Sequence, residues 1–520
     1  MTGPLPGAEA RIGVGIADLP ERTDLLVVGL GVTGAGVALD AASRGLDVVA
    51  VDAFDLAWGT SRWSSKLVHG GLRYLANLQL DVAWESAVER DILMRRTAPH
   101  LTHALPMLIA LTPDTGRLDA ALVRIGTAAG DLLRRGARTP RQLLPGPRRI
   151  SAAETTALAP EVRRRGLRGA VLSFDGQLED DARLVVALAR TVASYGARVR
   201  TRTRVVAIGD GHVDLRDETT GEVRRIEARA VVNAAGVWAG DVVDGIRLQP
   251  SRGTHLVLRA GTLPGLRTAL MVPVPGTRAR YVFVLPQPDG RRYVGLTDVP
   301  APGPVPDVPT GTEEEIAFLL GVVGTVLDVP LTRDDVAGTY AGLRPLLESD
   351  DTTGATADLS RKHAVVTGQH GVVTVVGGKL TTYRRMAEDA VDAALAAHQM
   401  SAGPCRTRRL PLLGAASREQ LDGLGGSPRL VRRFGTEAAL VLDTARRVTG
   451  MPDAELLAPV ADGDPATFAE LVFAVTHEGA RTVEDLLERR TRVALVPADA
   501  ERARPVAERV LDVVAASTTF

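Results

Sequence analysis

The segment from Thr60 to Leu75, TSRWSSKLVHGGLRYL, combines hydroxyl, cationic, imidazole and aromatic side chains in a chain that is only 3% aromatic. Polar groups this dense need hydrogen-bond partners where they are buried. The segment begins eight residues after Asp52, which ends a nucleotide-binding pattern. We therefore expect its partners to be a cofactor and the substrate that reacts on that cofactor.

The nucleotide-binding pattern is a glycine-rich turn. Gly29, Gly31 and Gly34 form G-x-G-x-x-G between a predicted strand and a predicted helix. The first glycine permits a tight turn, the second lets a pyrophosphate approach the backbone, and the third allows close helix–strand packing. Asp52 ends the next predicted strand, 18 residues after Gly34. A carboxylate at this place accepts hydrogen bonds from ribose hydroxyls and repels a 2′-phosphate.

The spacing of the later strands indicates which dinucleotide binds. An NAD dehydrogenase would continue with regular parallel βα units, whereas here long insertions precede the predicted strands near 230 and 372. This split pattern favours FAD, held along its full length. Val205 lies on a strand whose backbone can contact the adenine, and Ala235 with Gly236 returns the chain to the cofactor. The side chains predicted to face the pyrophosphate and the flavin edge are Thr60, Ser61, Ser64, Ser65 and Lys66.

These residues need a sheet with helices to position them. Hydrophobic periodicity predicts strands at 24–29, 47–52, 198–208, 230–236 and 372–378, and helices at 35–44, 80–97, 118–135, 181–195 and 380–398. Residues 252–300 predict an antiparallel sheet, and helical patterns follow the Gly/Pro-rich stretch at 400–428. The predicted fold class is mixed α/β: a Rossmann-type FAD-binding domain interleaved with an antiparallel-sheet substrate domain, plus a C-terminal helical domain.

The predicted domain organisation follows from these elements. Residues 1–22 are interpreted as a flexible tail, 23–400 as the FAD-binding domain with its interleaved substrate domain, and 405–520 as the helical domain. The cap sheet is expected mainly over 240–340.

Composition excludes several classes of protein. The 520 residues carry 62 Lys+Arg and 62 Asp+Glu, so the formal charge is zero and gives no general case for nucleic-acid binding. The single cysteine, Cys405, suits a reducing cytoplasm and forms no thiolate cluster for a metal. No stretch has the composition of a signal peptide or a membrane span. We interpret helix 118–135 as packed on its own domain, with peripheral attachment to the inner face of the cytoplasmic membrane as the alternative.

Several motifs resemble those of the FAD-dependent glycerol-3-phosphate dehydrogenases, within the flavoprotein superfamily of the glucose-inhibited-division protein and D-amino-acid oxidase. They are the Gly29–Asp52 unit, the 60–75 segment, Gly295-Leu296-Thr297-Asp298, Leu343-Arg344-Pro345 and the run GGKLTTYR at 377–384. A looser similarity covers the tail, with Glu470, His477-Glu478 and Glu488-Arg489-Arg490-Thr491. Asp52 stands where this family often has Glu, and either carboxylate can hold a ribose.

The resemblance implies oxidation of sn-glycerol 3-phosphate to dihydroxyacetone phosphate, with a hydride passing from C2 of the substrate to N5 of the flavin. It implies a quinone at the membrane surface as the electron acceptor. The sequence leaves open whether the chain forms a homodimer.

The same resemblance implies the residues of the substrate pocket. Arg73, Arg344 and Arg361 are expected to line it, with Tyr74 beside Arg73. Lys379 follows two glycines at a predicted strand end, where a cation can stabilise an alkoxide or carbonyl oxygen. The backbone N–H groups expected at the flavin edge belong to Gly377, Gly378, Leu380 and Thr381. His69 and His255 are the candidate bases for the substrate hydroxyl, with Lys379 or water as alternatives. Trp63 is given no role.

Three competing interpretations remain at this point. The first is an oxidase of the same substrate that passes electrons to oxygen and makes hydrogen peroxide. The second is a related FAD-dependent amino-acid oxidase, which would need a carboxylate site in place of several arginines. The third is a non-catalytic, flavin-bearing interaction protein that uses the helical tail as its partner surface.

Overall fold

The structure of the chain, a computed structural model, describes residues 9–71, 79–113, 117–277, 280–348 and 362–517. Three residues predicted for the substrate pocket, Arg73, Tyr74 and Arg361, lie outside the described residues.

The described residues form two large sheets and one small sheet. In chain order the strands are β1 (Gly13–Val14), β2 (Arg22–Val28), β3 (Val48–Val51), β4 (Leu67–Val68), β5 (Thr102–Ala110), β6 (Arg148–Ile150), β7 (Ala170–Leu178), β8 (Arg198–Thr201), β9 (Thr203–Gly209), β10 (His212–Asp217), β11 (Val223–Asn233), β12 (Leu248–Leu258), β13 (Ala269–Pro273), β14 (Tyr281–Pro286), β15 (Arg292–Gly295), β16 (Val299–Pro300), β17 (Val336–Leu347), β18 (His363–Thr367), β19 (Val373–Gly377), β20 (Pro459–Ala461) and β21 (Asp464–Thr467).

Helices cover the sheets and build the C-terminal region. They are α1 (Val32–Ser43), α2 (Leu80–Ile92), α3 (Arg117–Gly136), α4 (Ala152–Leu158), α5 (Asp181–Ser194), α6 (Ala239–Val242), α7 (Glu313–Gly324), α8 (Tyr383–Ala397), α9 (Arg418–Asp422), α10 (Pro428–Phe434), α11 (Ala438–Thr449), α12 (Asp453–Leu456), α13 (Phe468–His477) and α14 (Pro497–Ser517). None of the helices within the described ranges is both long and apolar enough to cross a bilayer.

The first large sheet is the predicted Rossmann-type unit. Its order is β1-β8-β3-β2-β11-β10-β9, with β19 added parallel to β11 and β18 antiparallel to β19. The strands β8, β3, β2 and β11 run parallel. Helices α1, α5 and α8 pack on one face through small and aliphatic side chains. Gly36 lets α1 approach α8 closely, because a Cβ at Gly36 would lie 2.8 Å from the ring of Tyr383.

The second large sheet is almost entirely antiparallel and stands beside the first. Its order is β16-β12-β15-β14-β13-β5-β7-β4, with β17 paired to β12 and β6 to β7. One face packs against α7 through residues such as Leu319 and Val323. The other face carries Met107, Met271 and Tyr340. Met107 and Met271 also line the large cavity of the molecule.

The C-terminal region has its own hydrophobic core. Buried side chains from α10, α11, α13 and α14 form one cluster, and β20 and β21 add a short hairpin. The predicted fold class is therefore confirmed, with two interleaved sheet layers followed by a helical region.

The prediction of a flexible tail over 1–22 is wrong for residues 9–22. Ile16 and Leu19 are 1% and 3% exposed, and β1 pairs in parallel with β8. The amide of Ile12 also donates to the carbonyl of His477 at 3.0 Å. The apolar residues of this stretch are scattered among Gly and Ala, so their burial depends on a strand edge and a helix end contributed by distant parts of the chain.

Two other expectations need correction. The strand predicted over 198–208 is divided into β8 and β9, because Arg202 between them has a left-handed φ of +54°. The second sheet extends beyond the expected 240–340, where most of its strands lie, because β4, β5, β6 and β7 also belong to it. Strand β5 lies in a region that carries Pro106, which hides the strand pattern.

Candidate functional site

One elongated cavity of about 1810 Å³ brings together most of the residues that the sequence predicts for the site. It lies along the glycine-rich turn of the first sheet and reaches the face of the second sheet that carries Met107 and Met271. The predicted residues that line it are Gly29, Gly31, Asp52, Thr60, Ser61, Ser64, Ser65, His69, Val205, Ala235, Gly236, His255, Arg344, Gly377, Gly378, Lys379, Leu380 and Thr381.

Backbone geometry builds the nucleotide end of the cavity. Gly29 has a φ of +94°, and a Cβ there would lie 2.7 Å from the carbonyl oxygen of Ala234. Gly34 does not line the cavity; a Cβ on it would lie 1.8 Å from the carbonyl oxygen of Gly29, which agrees with its predicted packing role. Gly31 is the N-cap residue of α1 and has no side-chain cap. The N-terminus of α1 thus presents its positive end to the cavity.

Asp52 is held by the same turn. Its Oδ2 accepts from the amide of Leu30 at 2.7 Å, and its Oδ1 accepts from the amide of Phe54 at 2.9 Å. Burial raises the pKa of Asp52 to about 6, although the two amides oppose that change. Each carboxylate oxygen has a second lone pair, so both can still accept from ribose hydroxyls.

The hydroxyl-rich segment is tied to several distant elements. Ser61 Oγ accepts from the amide of Val32 at 2.9 Å and so keeps its own hydrogen for another acceptor. Thr60 Oγ1 donates to the carbonyl of Leu343 at 2.6 Å. Ser64 Oγ donates to Asp181 at 2.7 Å. Of these three hydroxyls, Ser61 is the one whose hydrogen the protein leaves available to a pyrophosphate.

Lys66 does not line the cavity, so the predicted contact between its side chain and the cofactor is wrong. The side chain is fully buried, and its ammonium donates to Asp181 at 3.0 Å and to the carbonyl of Arg62 at 2.8 Å. It also lies 4.5 Å from the ring centre of Tyr340. Burial lowers the pKa of Lys66, and Asp181 opposes that shift. Lys66 therefore holds the segment in place from behind.

A second glycine turn follows β19, which lies in the same sheet as β2 with only β11 between them. Gly377 and Gly378 have φ values of +77° and +68°, and a Cβ on Gly378 would lie 2.5 Å from Met386 Sδ. The turn leads into Leu380–Thr382 and then into α8, so another helix N-terminus faces the cavity. Lys379 lines the cavity and donates from Nζ to Ser86 Oγ at 2.6 Å.

Arg344 is positioned by polar groups of the second sheet. Its Nη1 is 3.2 Å from both Asp298 Oδ1 and Ser251 Oγ, and its Nη2 donates to the carbonyl of Thr297 at 3.2 Å. A Cβ on Gly253 would lie 2.4 Å from Nη2 of Arg344. The glycine of the Arg252-Gly253-Thr254-His255 run therefore makes room for the guanidinium.

His255 is almost completely buried where it lines the cavity. Its Nε2 is 2.8 Å from Ser65 Oγ, and its ring stacks on Tyr340 with centroids 4.6 Å apart. Gly295 lies against the ring, since a Cβ there would lie 2.1 Å from it. Burial, with Lys66 and then Arg344, lowers the pKa of His255 well below its ordinary value, so the ring is neutral at neutral pH.

His69 lines the cavity from the other candidate position for a base. The amide of the following residue, Gly70, donates to Asp175 at 3.0 Å, and Asp175 in turn accepts from Arg90 at 2.6 Å. This buried pair anchors the backbone beside the imidazole.

Comparisons with known proteins agree with this arrangement. Residues 24–384 match the family described as FAD dependent oxidoreductase, and residues 405–520 match the C-terminal domain of alpha-glycerophosphate oxidase. Glycerol-3-phosphate dehydrogenase 1 of Mycobacterium tuberculosis is 52% identical over 94% of each chain. The mitochondrial glycerol-3-phosphate dehydrogenase of Arabidopsis thaliana is 35% identical over 98% of this chain and 88% of its own. The chain belongs to the FAD-dependent glycerol-3-phosphate dehydrogenase family.

A solved structure of the same family has a similar fold. The glycerol-3-phosphate dehydrogenase from Bacillus halodurans, complexed with FAD, superposes with a TM-score of 0.72 at 26% identity and covers 95% of this chain and 91% of its own. The cofactor of this family fits the cavity described here. Gly29 and Gly34, which tolerate no Cβ, the N-terminus of α1, whose N-cap residue Gly31 has no side chain, and Asp52 form the donor and acceptor set that an adenine dinucleotide needs.

Several residues that build the site in this glycerol-3-phosphate dehydrogenase family member escaped prediction. Trp63 lines the cavity and stacks on Tyr340 with centroids 6.0 Å apart. Phe54 and Trp58 also line the cavity and stack with centroids 4.6 Å apart. Aromatic residues are scarce in this chain, and seven of them line this one cavity: Phe54, Trp58, Trp63, Trp238, Tyr281, Phe283 and Phe318. The clustering of Phe54, Trp58 and Trp63 close to Asp52 and the 60–75 segment was the available signal for these three.

Asp298 and Ser86 were also missed as the hydrogen-bond partners of Arg344 and Lys379. Asp298 belongs to the motif Gly295–Asp298, which the sequence analysis singled out, but its contact with Arg344 could not be inferred from that motif. Ser86 lies inside α2 with nothing in its local sequence to connect it to Lys379.

Proposed function

We propose that this protein oxidises sn-glycerol 3-phosphate at C2 to dihydroxyacetone phosphate. The observation that supports this most strongly is one cavity that joins the nucleotide end, with Gly29 and Asp52, to an end with Arg344, His255 and Lys379. The names of the relatives support the same substrate. FAD, when bound, supplies a two-electron acceptor that can take a hydride from C2 at its N5 position.

Arg344 is the described residue best suited to bind the substrate phosphate. Its planar guanidinium matches the geometry of a phosphate, and contacts to Ser251, Asp298 and the carbonyl of Thr297 fix its orientation. The carboxylate of Asp298 partly neutralises the arginine before substrate enters. Arg73, Tyr74 and Arg361 remain predicted members of the same pocket.

His255 is our candidate for the base that takes the C2 hydroxyl proton. A base must be unprotonated before it acts, and the low pKa of His255 keeps its imidazole neutral. A substrate dianion bound at Arg344 would raise that pKa and so improve proton acceptance. Ser65, 2.8 Å from Nε2, would orient the ring. His69 is the alternative base, and Lys379 would stabilise negative charge on the C2 oxygen.

The direct test is anaerobic reduction of the purified holoenzyme. Addition of sn-glycerol 3-phosphate should bleach the flavin absorbance at about 450 nm. Two matched compounds serve as controls: glycerol lacks the phosphate that Arg344 would bind, and sn-glycerol 1-phosphate has the opposite configuration at C2. Unchanged flavin absorbance with all three compounds would overturn the proposal.

We further propose that electrons leave the flavin to a quinone at a membrane surface. Helix α3 exposes Ile125 and Leu132, which are 66% and 70% exposed, and Ile125 also lines the cavity. Such apolar exposure beside a cavity suits contact with a lipid surface. The alternative acceptor is oxygen. Hydrogen peroxide formed in stoichiometric amounts under air would favour the oxidase, whereas reduction of a soluble quinone analogue without peroxide would favour the dehydrogenase.

A further inference from the structure

The run Glu488–Arg492 of the C-terminal region is buried against the cofactor-binding sheet. Arg489 and Arg490 are 1% and 2% exposed, and both donate to one carboxylate, Asp55, which is itself 1% exposed. Arg489 Nε lies 2.6 Å from Asp55 Oδ2. Arg490 adds a two-pronged contact, with Nη1 2.9 Å from Oδ2 and Nη2 2.8 Å from Oδ1. Both carboxylate oxygens of Asp55 are thus bound by the C-terminal region.

A second set of contacts extends the same interface. Arg62 donates to Glu488, and its guanidinium lies 4.2 Å from the ring centre of Trp63. Arg489 stacks over Trp58 at 4.8 Å. Arg62 of the cofactor-binding region therefore lies over the ring of Trp63, and Arg489 of the C-terminal region lies over the ring of Trp58.

The partners of the run belong to the cofactor segment itself. Asp55 comes three residues after Asp52, and Phe54 and Trp58 on either side of it line the cavity. Arg62 lies in the turn Thr60–Arg62, next to Ser61, whose Oγ accepts from the first amide of α1. The backbone that would carry the ribose and pyrophosphate contacts is thus attached to the C-terminal region at both of its ends.

The attachment depends on charge, because the buried carboxylate of Asp55 needs the two arginines of the C-terminal region as partners. Burial alone would raise the pKa of Asp55, but Arg490 and Arg489 hold it well below its ordinary value, so the carboxylate is ionised. Without the two arginines, Asp55 would be an unpaired buried charge, which is strongly unfavourable. Undocking of the C-terminal region would therefore release the segment 52–62 from its present position.

We propose that Glu488–Arg492 is a positioning element for the cofactor: through Asp55, Arg62 and Trp58 it couples docking of the C-terminal region to FAD affinity. The residues of this element do not line the cavity. Coupling of this kind is reciprocal, so bound FAD stabilises the docked C-terminal region by the same factor.

The first experiment measures FAD binding to apoprotein by quenching of flavin fluorescence. Asp55→Asn removes the charge on which both arginines converge and should weaken FAD binding by roughly tenfold or more. The matched control is Glu437→Gln. Glu437 is a carboxylate of the C-terminal region that also makes a two-pronged contact with an arginine, Arg190 of α5, at 2.5 and 3.1 Å, away from segment 52–62. Its FAD dissociation constant should stay within about twofold of wild type, even if both variants lower the melting temperature.

Two further measurements guard against misfolding of Asp55→Asn. Arg490→Lys keeps one charged contact to Asp55 and should show an intermediate FAD affinity, between wild type and Arg490→Ala. In wild-type protein, addition of FAD should slow amide hydrogen exchange in the peptide covering 482–496 more than in the peptide covering 438–449. Equal exchange in the presence and absence of FAD, or equal loss of affinity in Asp55→Asn and Glu437→Gln, would overturn the proposal. These readouts need no glycerol 3-phosphate, so they succeed or fail independently of the proposed reaction.

Discussion

The two ends of the cavity are built in different ways. At the nucleotide end, the cavity is lined by residues close together in the chain, such as Gly29, Gly31 and Asp52. At the substrate end, the side chains of His255, Arg344 and Lys379 come from three separate elements, β12, β17 and the turn before α8. A site built from backbone tolerates no added atoms, whereas a site built from side chains depends on the partners that hold each one.

This difference predicts different sensitivities to substitution. Changes at the nucleotide end should act on cofactor content and folding together, because the turn is part of the sheet core. Changes at the substrate end should leave the cofactor bound and act on catalysis, because each side chain is held by local hydrogen bonds.

The largest effect is expected for Gly34→Ala. A Cβ at this position would lie 1.8 Å from the carbonyl oxygen of Gly29, so the turn must open. We expect purified Gly34→Ala to contain little FAD, as measured by the ratio of flavin to protein absorbance. The matched control is Gly321→Ala, also in a helix but with no atom within 4 Å of the added Cβ. That control should retain FAD and gain roughly 0.5–1 kcal/mol of stability. Full FAD content in Gly34→Ala would show that the turn is not the rigid element described here.

A large effect confined to catalysis is expected for Arg344→Lys. Lysine keeps the charge but loses the fork that contacts Ser251, Asp298 and the carbonyl of Thr297. We expect kcat/KM for glycerol 3-phosphate to fall on the order of 100-fold with FAD content unchanged. Arg225→Lys is the control, because Arg225 makes an exposed two-pronged pair with Asp214 that contributes little. Comparable kcat/KM values for the two variants would remove Arg344 from the substrate site.

The smallest effect is a difference in the pH dependence of stability. The pKa of His255 is lower in the folded than in the unfolded protein, so its contribution to stability is lost as pH falls below about 6.5, by up to about 1.4 kcal/mol per pH unit. The pKa of Asp52 is raised to about 6, so its contribution has the opposite sign and is lost as pH rises from about 4 to about 6.

Urea unfolding of the apoprotein between pH 4 and pH 8 separates these two contributions. His255→Asn should flatten the loss of stability below about pH 6.5, and Asp52→Asn should flatten the loss that accompanies rising pH between about 4 and 6. A wild-type pH profile in both variants would contradict the burial of these two groups at opposite ends of the cavity.

The predictions from sequence were most successful for sites formed by residues at set spacings close together in the chain. The Gly29–Gly34 turn and Asp52 were identified because a strand, a turn, a helix and an acid must occur at set spacings to bind a dinucleotide. The Gly377–Gly378 turn was expected from a motif that resembles the family's, and both residues have the left-handed φ that explains the glycines.

Predictions failed where a residue's partner is far away in the chain. Lys66 lies among cofactor-facing residues in sequence but points to Asp181, 115 positions away. Residues 9–22 were interpreted as a tail, but β1 pairs with β8 and the amide of Ile12 donates to the carbonyl of His477 at the end of α13. The residues next to Lys66 in the chain do not indicate Asp181 as its partner, and residues 9–22 do not indicate β8 or α13 as theirs.

The class of cofactor and the family of the protein can be inferred from sequence, because both depend on motifs of a few consecutive residues whose backbone conformation is locally dictated. Three-dimensional packing was needed to show which side chains share the cavity, that Gly253 and Gly295 make room for Arg344 and His255, and that Asp55 binds Arg489 and Arg490. Those contacts depend on the packing of two sheets and a helical region, and packing selects partners by shape and charge across hundreds of residues.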